Sequence, residues 1–400
     1  MENLPKIREE IGYQVLKYEN AEYIKLVDKA GYTEKEPMFP LFIMEILQLA
    51  NDGINQEQLM EILNSNFNEY AQDVYANVMD IIEALDEYGF MDTPNFDALK
   101  KELEDYDKAS IRPSNCIGSS FSDIPEEAAK EIDEILNVSN EPSFSNAKAI
   151  AVPHIDFRIK ESFPAYSKAY NAIKDTNPGL FVVIGTAHHG NSDFFMFCDK
   201  HFETPFGLVE TDLELMNEIK SKYPTLTIDN RAHREEHSIE YHAVLLKRLI
   251  IKDFKILPIL AGSIYEFIDS GEQPTDNSSL NNQINIIKEC VYAKYPNAVI
   301  IASGDLAHIG KRFGDDFAAR EQLELIKTED MDLIESLKNC NAEEYLGKII
   351  ATKDNRKVCG TAPFYALLKI ANPEKGTFLD YNQWDDFMTE SAVSYASICF

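Results

Sequence analysis

Short apolar segments alternate with helix-like segments through most of this 400-residue chain. The apolar segments are brief and uninterrupted, which is the pattern of strands buried on both faces of a sheet. Their alternation with helices predicts an α/β fold in which a central mixed sheet is flanked by helices. Antiparallel pairing is expected near the C-terminus, where two strand-like segments follow each other. The strand-like segments are 148–153, 180–185, 193–198, 254–260, 298–303, 376–381 and 393–400.

Amphipathic stretches between these segments have the spacing of helices that pack against a sheet. The segments at 316–326 and 330–338 are predicted as two separate helices. The predicted helices of this part of the chain are 125–137, 162–174, 211–222, 236–250, 280–294, 316–326, 330–338 and 361–371.

Residues 1–108 are predicted to form a small domain of their own, and residues 109–400 the α/β domain. A strand-like lead from Tyr13 to Val27 precedes three helices, an order that predicts a winged-helix-like module. The boundary is placed at the charged stretch 100–110, which ends in the Arg112-Pro113 turn. The three helices are predicted at 38–51, from the N-cap Asn55 onward, and at about 69–88.

The chain is strongly acidic, with a formal net charge of −30. Residues 1–108 alone hold 24 acidic and 9 basic side chains. Nucleic-acid phosphates and anionic membrane surfaces would be repelled by such a charge, so neither is an expected partner. No secretory-type apolar segment follows Met1, and no apolar run approaches the ~18 residues of a membrane span. We therefore expect a cytoplasmic protein.

Histidines stand where the predicted strands end. His154 follows the segment 148–153, His188 and His189 follow 180–185, and His308 comes shortly after 298–303 with Asp305 beside it. The functional groups of open α/β sheets gather beyond the carboxyl ends of the strands. These histidines are therefore expected to meet in one crevice, where imidazoles bind metals or move protons.

Cys359 is the cysteine most suited to join that crevice. It precedes a predicted helix that begins near Thr361. A thiolate at a helix N-terminus is stabilised by the helix dipole, which predicts a lowered pKa for Cys359 and a competent metal ligand. The six cysteines form no CxxC pair, so a disulfide framework is not expected.

The segment from Arg234 to His242 reads as the entrance of a helix. Glu236 and Glu240 share one face of that helix. A zincin-like site is a further alternative, because His233 and His237 are four residues apart, but the H-E-x-x-H order is absent. His201 and His242 fit no such pattern and are interpreted as structural.

From Ser110 to Phe400 the chain resembles the MEMO family, in particular the bacterial and archaeal proteins called AmmeMemoRadiSam system protein B. Two pieces depart from the family pattern. "HIDFR" stands where animal members have a His-Ala-Gly-Tyr pattern, and "CIGSSF" replaces the more usual opening. The matching pieces, in family order, are "RPSNCIGSSFSDIPEE" (112–127), "AVPHIDFR" (151–158), "VVIGTAHHG" (182–190), "TPFGLVETD" (204–212), "HREEHSIEYH" (233–242), "ILPIL" (256–260), "SGDLAHIGKRFGDD" (303–316) and "CGTAPFYALL" (359–368).

This resemblance implies a fold like that of the class III extradiol dioxygenases and one bound divalent or redox metal ion. Matching motif by motif gives His154, His188 and Cys359 as its ligands, with Fe(II) favoured and Cu or Zn as alternatives. His308 with Asp305 falls at an acid/base position, and His189 is a further catalytic candidate. The family's system name implies a radical SAM enzyme and an AMMECR1-like protein as partners. The predicted substrate-pocket residues are Asp156, Glu236, His237 and Glu240.

The N-terminal stretch "LQLANDGINQEQLMEILNSNFNEYAQDVYANVMDIIEALDEYGFMD" resembles PqqD-like domains, which implies a peptide substrate or partner. Three functions stay open at this point. The first is a metal-dependent redox or oxygen-using enzyme working with a radical SAM partner. The second is a non-catalytic metal-binding scaffold. The third is a zinc-dependent hydrolase in which Glu236 or His308 acts as the general base.

Overall fold

The computed structural model of this protein describes residues 3–18, 21–33, 35–139, 144, 147–190, 193–262 and 264–400. The chain divides into two units, Met1–Ala109 and Ser110–Phe400. Within the described ranges, no helix combines the length and apolarity needed to cross a membrane.

The first unit contains a three-stranded antiparallel sheet followed by helices. Asn55 caps the second helix as predicted. Its side chain accepts a hydrogen bond from the backbone N–H of Gln58 at 3.0 Å, and the Gln58 side chain accepts one from the backbone N–H of Asn55 at 2.9 Å. A fourth helix was not predicted, since its few buried residues are dispersed among charges. The elements are β1 (Ile11–Tyr18), β2 (Ala21–Asp28), β3 (Met38–Pro40), α1 (Phe42–Asn51), α2 (Gln56–Phe67), α3 (Ala71–Glu87) and α4 (Pro94–Lys108).

The second unit is built on a nine-stranded mixed sheet, with helices on both faces. Its strands are β5 (Ala149–Val152), β6 (Leu180–Thr186), β7 (Phe195–Phe197), β9 (Thr227–Ile228), β10 (Lys255–Ala261), β11 (Val299–Ser303), β12 (His308–Gly310), β13 (Thr377–Asp386) and β14 (Ser391–Cys399), while β4 (Ile111–Arg112) and β8 (His201–Phe202) pair separately. Its helices are α5 (Pro125–Leu136), α6 (Phe163–Ile173), α7 (Leu213–Lys222), α8 (Asn230–Arg234), α9 (His237–Leu249), α10 (Tyr265–Ser270), α11 (Ser278–Lys294), α12 (Leu323–Lys338), α13 (Ala342–Ala351) and α14 (Thr361–Ala371).

The centre of the sheet consists of four parallel strands in the order β5-β11-β6-β10. On one side β14 pairs antiparallel with β5, and on the other β7 pairs antiparallel with β10. The predicted mixed sheet and the antiparallel pair at the C-terminus, β13 with β14, are confirmed.

Alternate residues of the central strands enter two different hydrophobic cores. In β5, Ala149 and Ala151 belong to one core and Ile150 and Val152 to the other. The strands are therefore buried on both faces, which explains why they read as uninterrupted apolar runs.

The prediction of two helices at 316–326 and 330–338 is wrong, because α12 is one continuous helix from Leu323 to Lys338. The predicted break at 327–329 falls on exposed and half-buried side chains inside this helix, and the residue that follows it, Asp330, is polar but buried. Asp330 is tolerated there because it pairs with the buried Arg356, with 2.7 Å between Nη1 and Oδ1.

Candidate metal centre

Three neighbouring parallel strands deliver polar side chains to one edge of the sheet. His154 follows β5, Asp305 follows β11 and His188 follows β6. The order β5-β11-β6 places Asp305 between the two histidines, and its Oδ1 accepts from the backbone N–H of His154 at 3.1 Å. The side chains come together because parallel strands end at the same edge.

Cys359 reaches this edge from the turn that precedes α14. The approach depends on two glycines, since a Cβ on Gly304 would lie 2.4 Å from the Cα of Gly360. The backbone N–H of Gly360 donates to the Asp305 carbonyl at 2.8 Å, and the backbone N–H of Asp305 donates to the Cys359 sulfur at 3.1 Å. These contacts fix the thiol next to the end of β11.

The side chains of His154, His188 and Cys359 bring three donor atoms within 4.8 Å of one another. The Nε2 of His154 is 3.4 Å from the Sγ of Cys359. Ligand atoms around one tetrahedral ion, with bonds of ~2.0–2.3 Å, lie roughly 3.5 Å apart. The geometry therefore fits one ion with mixed nitrogen and sulfur ligation.

Hydrogen bonds to the other nitrogen of each ring orient the two histidines. The Nδ1 of His154 lies 3.1 Å from the Ser303 hydroxyl, and the Nδ1 of His188 lies 2.9 Å from the Glu236 carboxylate. Metal-binding histidines commonly use one ring nitrogen in this way and present the other to the ion.

Burial shifts the pKa values of the side chains at this edge of the sheet when no ion is bound. Burial, with His188 nearby, lowers the pKa of His154 well below its usual range. Burial also raises the pKa of Asp305 to about 7 and lowers that of His308 to about 4. Burial lowers the pKa of His188, but the hydrogen bond and charge of Glu236 outweigh it, so the net shift is upward.

The predicted low pKa of the Cys359 thiol is not what the structure shows. Burial and the nearby Asp305 carboxylate raise this pKa well above its usual value, and they outweigh the hydrogen bond that the Asp305 backbone N–H donates to the sulfur. Ionisation of this thiol would therefore depend on a bound cation, which deprotonates a coordinating thiol.

The predicted acid/base residues lie beside the same sulfur. Asp305, His308 and Cys359 form a second group of donor atoms within 4.8 Å of one another. The Nδ1 of His308 is 3.1 Å from the carbonyl oxygens of Leu306 and Lys357. The structure thus brings Asp305 and His308 to the proposed metal position.

His237 also lies at the crevice, since its ring stacks on that of His188 with centroids 4.9 Å apart. With Glu236 these two histidines form a third donor group. His189 is partly buried in the same loop but belongs to none of the donor groups among the described residues.

Two predicted pocket residues have their carboxylates occupied by other groups. Asp156 accepts from Arg158 at 2.8 Å and from the Ser120 hydroxyl at 3.0 Å. Glu240 has no exposed side-chain surface and pairs with the equally buried Arg112 at 2.6 Å. Glu240 thus differs from a pocket-lining residue, because its buried carboxylate joins Arg112 to the backbone of Asn115 and Cys116.

The zincin-like alternative fails on geometry. His233 lies in α8 and His237 begins a separate helix, α9. His233 is buried and its Nε2 lies 2.9 Å from the Met196 carbonyl oxygen, so it contributes to no donor group in the described part of the chain. His201 and His242 make structural contacts, with the backbone of Thr211 and the hydroxyl of Tyr170.

Two side chains that hold residues of the site in place were not predicted from the sequence. Ser303, the last residue of β11, contacts His154, and Arg112 holds Glu240 and the carbonyls of His233 and Glu236. Ser303 carried a weak signal, as a polar residue that ends an apolar run. Arg112 carried none, since it lies 128 residues from Glu240.

Replacing Gly304 with alanine is expected to displace the Cys359 turn, because the new Cβ would meet the backbone of Gly360. Overpacking of this kind costs roughly 1–3 kcal/mol of stability. Denaturant unfolding followed by the fluorescence of Trp384, the single tryptophan, would measure it in the second unit. Gly347→Ala in α13 is the matched control, because its Cβ would meet only Gln273 at 3.8 Å. Equal unfolding midpoints for the two variants would contradict the expectation.

The fold and the site define a class of α/β protein in which parallel strands bring two histidines to a cysteine and form a candidate site for one metal ion. The chain belongs to the family of Memo-like proteins, since residues 112–399 match that family's model. The predicted resemblance to the MEMO family is confirmed.

Individual relatives agree with this assignment. A MEMO1 family protein of Aquifex aeolicus is 28% identical over 80% of this chain and 81% of its own length. A MEMO1 family protein of Thermus thermophilus is 26% identical over 80% of this chain and 91% of its own. One from Nitrosopumilus maritimus is 28% identical over 62% of this chain and 82% of its own. The matches to the first two relatives cover 80% of this chain, which is more residues than the stretch 112–399 contains. Their similarity therefore extends into the N-terminal unit.

Proposed function

We propose that this protein binds one divalent or redox metal ion through His154, His188 and Cys359 and uses it in oxidation–reduction or oxygen chemistry. The observation that carries the proposal is the 3.4 Å separation between Nε2 of His154 and Sγ of Cys359, with His188 in the same donor group. These two side chains are 205 residues apart in sequence. Mixed nitrogen and sulfur ligation with open positions suits Fe(II), Cu(I) or Zn(II), and the resemblance to proteins with an extradiol dioxygenase-like fold makes Fe(II) the favoured ion of the three.

When bound, the ion would supply a Lewis-acidic or redox-active centre. Asp305 and His308 are proposed to hold and move protons beside it. The geometry supports this role, since Oδ2 of Asp305 lies 3.5 Å from Nε2 of His154 and His308 shares a donor group with Cys359. His189 remains a further catalytic candidate on the basis of its place in the loop that carries His188.

The substrate is proposed to enter beside His237 and Asp156. Tyr241 supports this position, because its hydroxyl lies 2.7 Å from that of Ser120, which in turn bonds to Asp156. The ring of Tyr241 lies 5.5 Å from that of His237. Asp156 lies in the "HIDFR" departure from the animal sequences, and Ser120 lies in the "CIGSSF" departure from the usual opening.

Further parts of the proposal rest on resemblance. They are a fold like that of the class III extradiol dioxygenases, a PqqD-like winged-helix module in the first unit that recruits a peptide, and a radical SAM enzyme and an AMMECR1-like protein as partners. The strands and helices of the first unit are compatible with such a module.

A zinc hydrolase finds less support. Of its two proposed general bases, Glu236 already has both oxygens hydrogen-bonded to His188, which leaves His308 as the candidate base. A metal-binding scaffold would use the same three ligands, so only turnover separates it from an enzyme.

Elemental analysis of anaerobically purified protein, followed by oxygen uptake after loading with Fe(II) or Zn(II), tests the proposal. We expect one metal ion per chain and oxygen uptake with the iron form alone. Full loading with reversible exchange but no turnover across candidate substrates would favour the scaffold. The absence of any stoichiometric metal would overturn the proposal.

A further inference from the structure

We infer that Glu236 is a positioning residue of this metal site, which sets the tautomer and the orientation of the His188 ring. This inference rests on the proposed function, since it concerns how one ligand of the same ion is held. The sequence had placed Glu236 in a substrate pocket or, in the hydrolase alternative, at the position of a general base.

The Glu236 carboxylate holds His188 at two points. One oxygen, Oε1, lies 2.9 Å from the ring Nδ1, and the other, Oε2, accepts from the backbone N–H at 2.7 Å. The Glu236 side chain has no exposed surface, whereas a third of the His188 side chain is exposed. A buried group therefore determines the direction of a ring that otherwise borders solvent.

Glu236 is itself fixed by its surroundings. It is the N-cap of α9, and its Oε1 also accepts from the backbone N–H of Ser238 at 3.0 Å. Its carbonyl oxygen accepts from Nη2 of the buried Arg112 at 2.7 Å. The position of His188, in the loop after β6, is thus set from a second element, α9.

The chemical consequence concerns the other nitrogen of the ring. When Nδ1–H donates to Glu236, the neutral ring keeps its lone pair on Nε2, the nitrogen available to an ion. The corresponding partner of His154 is the Ser303 hydroxyl, which can donate or accept and so defines the tautomer less strictly. Glu236 therefore determines the tautomer of His188 more strictly than Ser303 determines that of His154.

A purely structural role as a helix cap would predict a different result. A lost cap changes the stability of α9 but leaves the metal affinity of the folded protein unchanged. A positioning role changes the metal affinity and the tautomer of His188 in the folded protein. The two roles separate in a measurement of Co²⁺ binding to metal-free protein under anaerobic conditions.

Glu236→Gln is the test variant, because it keeps the shape and removes one acceptor. We expect Co²⁺ affinity, measured by absorbance with a competing chelator, to fall roughly 10–100-fold, the usual effect of losing such a partner. Glu235→Gln is the matched control: it removes the same charge from the neighbouring residue, whose half-exposed side chain pairs with Arg234. The control should stay within about twofold of the wild-type affinity, since it makes no contact that orients a ligand.

Two further measurements connect the effect to His188. In ¹⁵N-histidine spectra of the metal-free protein, with His188→Ala for assignment, we expect the wild-type ring to carry its proton on Nδ1 and Glu236→Gln to lose this preference. In the His188→Ala background, Glu236→Gln should cause no additional loss of Co²⁺ affinity. If Glu236→Gln does not fold by circular dichroism, Glu236→Asp replaces it, with the same expected direction.

Unchanged affinity and an unchanged His188 tautomer in the folded variant would overturn the inference and leave the proposed function standing. If Glu236→Gln lowered the Co²⁺ affinity equally in the wild-type and His188→Ala backgrounds, the inference would also be overturned, because Glu236 would then act through another group. A wild-type protein that binds no Co²⁺ would instead overturn the proposed function.

Discussion

Replacing Cys359 with alanine is expected to weaken metal binding roughly a hundredfold while leaving the protein folded. Structural metal sites with four ligands have binding free energies of ~10–16 kcal/mol, so one ligand contributes about 3 kcal/mol, or roughly a hundredfold in affinity. The measurement is the metal content of anaerobically purified protein by elemental analysis, together with a Co²⁺ titration. A sulfur-to-cobalt charge-transfer band should be present in the wild type and absent from the variant.

The matched control for this prediction is Cys340→Ala. Cys340 is also a partly buried free thiol, but it belongs to no donor group among the described residues. Cys340→Ala should retain full metal content. If Cys359→Ala keeps the wild-type metal content and the sulfur band, then Cys359 is not a ligand and the proposed metal site is wrong.

Replacing Glu240 with glutamine is expected to cause the largest loss of stability of any change considered for the second unit. Glu240 and Arg112 are fully buried, and their side chains form an ion pair at 2.6 Å. The Glu240 carboxylate also accepts from the backbone N–H groups of Asn115 and Cys116 at 3.0 Å each. Removing one partner of a buried pair leaves the other charge uncompensated, at a cost of roughly 3–5 kcal/mol.

Urea unfolding followed by Trp384 fluorescence measures this loss of stability. Glu235→Gln is the control, because it removes the same charge. The control should unfold within about 0.5 kcal/mol of the wild type, since its ion pair is at the surface. A Glu240→Gln variant as stable as the control would contradict the expectation and show that the carbonyl contacts of Arg112, to Pro113, His233 and Glu236, compensate its charge.

Much of this fold could be predicted because its signals are local. The strands β5, β6 and β11 read correctly from uninterrupted apolar runs, since both faces of each strand are buried. The prediction divided α12 at 327–329, where no apolar residue continues the pattern, and the buried Asp330 that follows is paired with Arg356, 26 residues further along the chain. The spacing of apolar residues along a helix carries no information about a partner so far away in the sequence.

Local patterns in the sequence placed His154, His188 and Asp305 after strands and Cys359 before a helix, and the family motifs grouped His154, His188 and Cys359 as ligands. Only the tertiary structure decided how close they lie and which groups orient them. The order β5-β11-β6 is not the order of the chain, and the contact between Gly304 and Gly360 joins distant segments. Helices and strands arise from neighbouring residues, whereas the position of a sulfur beside an imidazole 205 residues away depends on how the finished elements pack.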